Sequence, residues 1–125
     1  MAAPRREPPP DIVLLAAEWK TRALLRAQLL EEGFEVVATN TWPMMRRHLR
    51  PGIKPRLAFV DLKGLDDAEQ VLRDLAVLMQ PERVFVLTAT ATVAPSEIAA
   101  LGFHVLGRPL TIAAIVGAMT ETLRT

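Results

Sequence analysis

A chain of 125 residues, half of them hydrophobic and 23% charged, has the size and composition of one ordinary globular domain, which excludes a disordered or collagen-like polymer. The formal charge of +1 gives no global pull toward nucleic acid or a membrane surface. The absence of cysteine removes disulfides, thiolate catalysis and cysteine zinc sites, two histidines do not restore a metal centre, and such residue usage suits a reducing cytoplasm.

Residues Met1–Pro10 (MAAPRREPPP) combine proline and charge with nothing to bury and are expected to form a flexible tail ahead of a domain spanning 11–125. They lack the apolar core of a signal peptide, and no apolar run approaches the length of a membrane span. The run Ile12–Ala17 (IVLLAA) suits a strand covered on both faces, and Glu18–Thr21 then opens a helix carrying Leu24, Leu25, Gln28 and Leu29, closed by Gly33. Phe34–Thr39 follows as a second strand, then a short helix over Trp42–Leu49, a break at Pro51-Gly52, and a third apolar strand, Leu57–Val60, ending at Asp61. A helix is predicted from Asp67 to Met79 with Val71, Leu72, Leu75 and Leu78 at helical spacing, then a strand at Val84–Leu87, a short helix at Ala94–Leu101 and a fifth strand at Phe103–Leu106. The last helix, Thr111–Leu123, carries Ile112, Ile115, Val116, Met119 and Leu123 on one face. This alternation predicts an α/β protein with a doubly wound, five-stranded parallel sheet, a (βα)5 flavodoxin-like fold, because parallel neighbours need right-handed crossover helices. Function in such folds sits at the carboxyl ends of the strands.

Those ends read Ala16-Ala17-Glu18, Asp61, Thr88-Ala89 and Arg108-Pro109 in chain order. With Val13–Glu18 (VLLAAE), Phe59–Leu62 (FVDL), Val86–Ala89 (VLTA), Gly107–Leu110 (GRPL) and the weaker landmarks Gly33–Val36 and Leu101–Phe103, the set resembles the receiver domain of two-component response regulators, the CheY-like superfamily, over Asp11 to Arg124. The resemblance makes Asp61 the phosphoacceptor-like residue and places Ala16, Ala17, Glu18, Thr88 and Arg108 at the pocket.

The departures decide the functional reading. Ala16 and Ala17 stand where the family keeps metal-binding carboxylates, and Arg108 stands in place of its lysine. Phosphoryl transfer relies on Mg²⁺, a hard cation drawn in by excess carboxylate charge, whereas Asp61 and Arg108 roughly cancel. Glu18 offers a partial substitute, so weak Mg²⁺ binding at Glu18 and Asp61 is the most this set supports, and no cofactor is expected. Arg108 is predicted to fork onto Asp61 through two parallel hydrogen bonds. The loop Lys63–Asp67 lacks the family's proline, and Val105 occupies the position of its switch aromatic. A degenerate pseudo-receiver follows: no catalysis, and a phosphorylation-independent role in binding protein. The alternative is a receiver still phosphorylated on Asp61 in a phosphorelay, with Mg²⁺ as its cofactor.

From Val84 to Thr120 the only formal charges are Glu97 and Arg108, and the expected outward positions of the last helix are Ala113, Ala114, Gly117, Ala118 and Glu121. Charge depletion marks interface cores. The resemblance adds that receivers commonly dimerise through helix four, strand five and helix five, so Val105, Ala113, Ala114, Gly117 and Ala118 are the interface candidates for a protein partner or a second copy. The basic run Arg46, Arg47, His48, Arg50, Lys54 and Arg56 has no accompanying helix-turn-helix or aromatic platform, which makes nucleic acid an unfavoured partner and the run a solvated face or an acidic partner's contact. Trp42-Pro43 at a helix entrance is read as packed or as an exposed anchor, and His104 as outward-facing. Nucleotide or flavin binding would require a glycine-rich turn after the first strand, and Ala16–Thr21 contains none.

Overall fold

The computed structural model describes residues 8–124. Of the predicted tail, residues 1–7 lie outside the described residues, and 8–10 have no regular structure. The five strands β1 (Ile12–Leu15), β2 (Val36–Thr39), β3 (Leu57–Asp61), β4 (Val84–Leu87) and β5 (His104–Leu106) form one parallel sheet in the order β2-β1-β3-β4-β5. The helices are α1 (Trp19–Glu31), α2 (Trp42–Arg46), α3 (Ala68–Leu78), α4 (Pro95–Ala100) and α5 (Ile112–Arg124), with a 3-10 turn at Pro81–Arg83 before β4.

The chain moves outward from β1 to β2 and then reverses across β1 to β3, β4 and β5. With right-handed crossovers, that reversal puts α1 on one face with α5, and α2, α3 and α4 on the other. The two core clusters follow this division. Ile12, Leu14, Phe59 and Phe85 pack with Leu25 and Leu29 of α1 and Ile115, Val116 and Met119 of α5, while Val13, Leu15, Val60 and Val86 pack with Met45, Val71, Leu72, Leu75 and Ile98. Alternate strand residues face opposite layers, so the central strands must be apolar throughout. β1, β3 and β4 are buried at every position.

Local signals set the boundaries. Gly33 takes φ 93°, and its N–H meets the Leu30 carbonyl while the Phe34 N–H meets Leu29, the paired bonds that end a helix on a left-handed residue. Thr41 caps α2, its hydroxyl accepting the Met44 N–H. α2 is shorter than predicted because the N–H groups of His48 and Leu49 turn back three residues, to Met45 and Arg46, and drop Leu49 into the core before Pro51-Gly52. Of the residues read on the first helix, Leu25 and Leu29 alone take the buried stripe, and Leu24 is exposed. Ile112 is only half-buried at the first turn of α5.

Candidate functional site

The reversal between β1 and β3 opens a crevice at their carboxyl ends. Asp61 is the last residue of β3 and 1% exposed, and its Oδ1 accepts the Lys63 N–H at 2.9 Å. The ladder Asp61–Leu87–Leu106 carries the chain across β4 to β5, and the Thr88 N–H to the Leu106 carbonyl extends it. Arg108, two residues beyond β5, thereby arrives beside Asp61, followed by a cis peptide to Pro109.

Arg108 does not form the predicted fork. Its Nη2 donates to Asp61 Oδ1 at 2.5 Å, while its Nε donates to the Thr88 backbone carbonyl at 3.0 Å. The guanidinium therefore clamps β3 to β4 and makes a single hydrogen bond to the carboxylate. Thr88 enters the site through its carbonyl, and among the described residues its hydroxyl makes no hydrogen bond.

The first strand's contribution also differs from the expected one. The Ala16 methyl packs in the α1–α5 core, buried away from the crevice. Ala17 is exposed, and its methyl stands against Gly64, where φ is 71°. Arg22, one helical turn into α1, donates to the Ala16 carbonyl at 2.8 Å and the Ala17 carbonyl at 3.2 Å. A helical side chain leans toward its helix's amino terminus, so a basic residue here naturally reaches back over these carbonyls. Glu18 turns to Lys63, with 3.1 Å between its Oε2 and the ammonium, and also accepts the Thr21 hydroxyl. The Lys63 hydrogen bond and charge hold the Glu18 carboxyl below the ordinary glutamate range against the opposing effect of desolvation, with lesser help from the Thr21 hydroxyl and the Arg108 charge.

The strand-end set thus holds two carboxylates, Asp61 and Glu18, and three cations, Arg108, Lys63 and Arg22. Sequence reading missed Lys63 and Arg22. The traces available were a base two residues after the strand-three acid and another four residues after Glu18. Mg²⁺ needs hard oxygen ligands in near-octahedral array, usually one or two carboxylates with waters or phosphate. Here the buried carboxylate's Oδ1 already takes two donors and the exposed one faces an ammonium, so the residues present do not fit the divalent cation the resemblance implies. Among the described residues no group of three histidine, aspartate or glutamate side chains converges anywhere.

A cavity of about 280 Å³ adjoins Arg108, lined by Lys63, Gly64, Ala89, Thr90 and Thr92. A larger one, about 490 Å³, lies between the starts of α2 and α3 and has Trp42 in its wall. Trp42 is half-buried against the core, which settles its role as packing, whereas Trp19, missed in the sequence, is 70% exposed at the head of α1. Val105 is half-buried against the α4-side layer. Ala113, Ala114 and Gly117 are exposed, but Ala118 is half-buried against the core and is not the outward residue expected. His104 is exposed, stacked on Phe85 with ring centroids 4.4 Å apart, and its Nε2 lies 2.8 Å from the Glu82 carbonyl.

No protein-family model matches the chain, and no curated protein does. Solved structures do. A CheY-like response regulator receiver domain protein from Methanospirillum hungatei JF-1 superposes with a TM-score of 0.75 at 18% identity, covering 90% of this chain and 92% of that one. A receiver domain protein from Clostridium thermocellum gives 0.73 at 16% identity over 90% and 93%. A receiver protein from Sinorhizobium medicae WSM419 gives 0.70 at 21% identity over 91% and 94%. The fold of this chain is that of the response regulator receiver domain. No helix among the described residues is long and apolar enough to cross a membrane.

Proposed function

We propose that the chain is a pseudo-receiver of two-component signalling: a cytoplasmic regulatory module that catalyses no reaction, uses no cofactor and acts by binding protein without phosphorylation of Asp61. The observation that carries this reading is the Arg108 guanidinium on Asp61 Oδ1. An acceptor aspartate must present a free oxygen to an incoming phosphorus while a cation neutralises the charge gathering on the phosphoryl oxygens. At this site one oxygen is held by a guanidinium and a backbone amide, and a bare methyl stands where a second carboxylate would be needed. The exposed, uncharged positions Ala113, Ala114 and Gly117 on α5 form the surface assigned to a partner or a second copy, while Val105 packs on the other face of the sheet, against the α4-side layer.

The test is exposure of the chain to acetyl phosphate or to beryllofluoride, each with Mg²⁺, read by intact mass and by amide NMR. The proposal expects no mass gain and no shifts at Leu62, Lys63 and Thr88. A phosphoryl adduct on Asp61 would establish the other reading, a working phosphoacceptor.

A further inference from the structure

The amino ends of the strands, opposite the Asp61 crevice, carry a second constructed surface. Of the 15 Lys and Arg residues, five lie between Arg46 and Arg56 with no acid among them, leaving ten against 14 Asp and Glu elsewhere, a formal −4. The fold adds Arg83 from the 3-10 turn, bringing it to Lys54 and Arg56 around a cavity of about 340 Å³. A neighbouring cavity of about 320 Å³ is rimmed by Arg46, Arg47 and Arg50. The two meet at the end of α3, where Leu78 lines one and Met79 the other. No acidic side chain lines either. Among the described residues Arg46, Arg47, Arg50, Lys54 and Arg83 make no ion pair, and only Arg56 is engaged, at 3.6 Å from Asp11.

Like charges gathered on one face repel one another, and among the described residues only Arg56 is relieved, by Asp11 and the Leu123 carbonyl. The cavities are not polar troughs, however. Leu49, Leu78, Pro43 and Pro51 give the cavity rimmed by Arg46, Arg47 and Arg50 an apolar lining, and Met79 and Pro55 contribute to the one beside Lys54, Arg56 and Arg83. A sugar-phosphate backbone would satisfy the cations but has no apolar groups for these linings, and neither cavity presents an aromatic ring on which a base could stack. An acidic segment with leucine-like side chains on one face satisfies both features at once. We infer that this face docks an acidic amphipathic helix of a partner protein, its apolar residues seated in the two cavities and its carboxylates on Arg46, Arg50, Lys54 and Arg83. This inference is independent of the proposed function at Asp61, since the surface lies at the other end of the sheet.

The probe is a synthetic helical peptide of about 18 residues, about 27 Å long, with Glu on one face and Leu on the other. A control replaces each Leu by Ala at the same charge, and a second control is duplex DNA of random sequence. Binding to the intact chain is followed by fluorescence anisotropy and amide NMR. The leucine peptide is expected to shift Arg46–Arg50 and Leu78–Arg83, the alanine peptide to bind at least about tenfold more weakly, and R46E/R50E to lose about tenfold or more. Affinity in the wild type should fall about tenfold between roughly 50 and 300 mM salt, which decides the matter if that variant does not fold. Equal binding of the alanine peptide, tighter binding of DNA, salt-insensitive binding, or salt-sensitive self-association that occupies the face without peptide would each overturn the inference.

Discussion

Replacing Arg108 by alanine removes both ends of the clamp between β3 and β4. The hydrogen bond to the Asp61 carboxylate belongs to a class that contributes about 1.5–3 kcal/mol. The Arg108 side chain is 38% exposed, so solvent screening puts the value at the low end, about 1.5–2 kcal/mol. The Thr88 carbonyl can be rehydrated and adds about 0.5 kcal/mol or less. At about 2.1 cal/mol/K per residue, unfolding entropy for a chain of this length is about 0.26 kcal/mol/K, so R108A is expected to lower Tm by about 6–10 °C. D61N keeps an acceptor for the Lys63 N–H and is expected to cost less, because Arg108 without its partner can turn to water whereas Asp61 without Arg108 stays buried. A double-mutant cycle of R108A and D61N, measured by urea unfolding, should give a coupling of about 1–1.5 kcal/mol. A Tm within about 1 °C of wild type for R108A, with a coupling near zero, would refute the reasoning.

Glu18 titrates below its ordinary range in the folded chain, so the Lys63 pair is present above the unfolded glutamate value and is lost as pH falls through the depressed folded value. A carboxyl NMR titration should show this, with K63A returning Glu18 toward ordinary behaviour; an unchanged titration in K63A would remove Lys63 as the cause. Thr120 is 8% exposed and its hydroxyl has no hydrogen-bond partner among the described residues, so T120V is expected to stabilise the fold by about 1 kcal/mol in calorimetry. A Cβ built on Gly117 meets nothing within 4 Å, so G117E should keep stability or raise it by up to about 1 kcal/mol through helix propensity while breaking association through α5, as read by sedimentation velocity.

The strands were readable from residue type because a sheet covered on both faces must be apolar without interruption, as Val84–Leu87 is. Gly33 was readable because few other residues accept its conformation. The order of landmarks placed Asp61, Thr88 and Arg108 at neighbouring strand ends, and the register brings them together. The shape of the Arg108 contact was not legible, since its Nε goes to a backbone carbonyl whose position depends on how β4 and β5 align. The positions of Ala16 and Ala17 likewise depended on strand phase: one methyl faces the α1–α5 layer and the next faces Gly64. The pairing of Glu18 with Lys63 needed the course of the loop after β3, where Gly64 takes a left-handed φ and the Leu65 N–H returns to Leu62. On α1 the buried stripe is narrow, Leu25 and Leu29 alone, so the leucine beside it, Leu24, is left exposed, whereas α3 and α5 each bury an adjacent pair, Val71-Leu72 and Ile115-Val116.

The electrostatic account of the Asp61 crevice is tested most directly by titrating Mn²⁺, as a paramagnetic stand-in for Mg²⁺, into the wild type and into A17D/R108K, observing amide line widths. Ala17 is exposed at the crevice, so the variant restores a carboxylate and exchanges the guanidinium for a more mobile ammonium. The account predicts no site-specific broadening at Leu62, Lys63 and Thr88 in the wild type up to several millimolar metal, and saturable broadening there in the variant, at about millimolar affinity or tighter. Saturable broadening around Asp61 in the wild type at that affinity would contradict it.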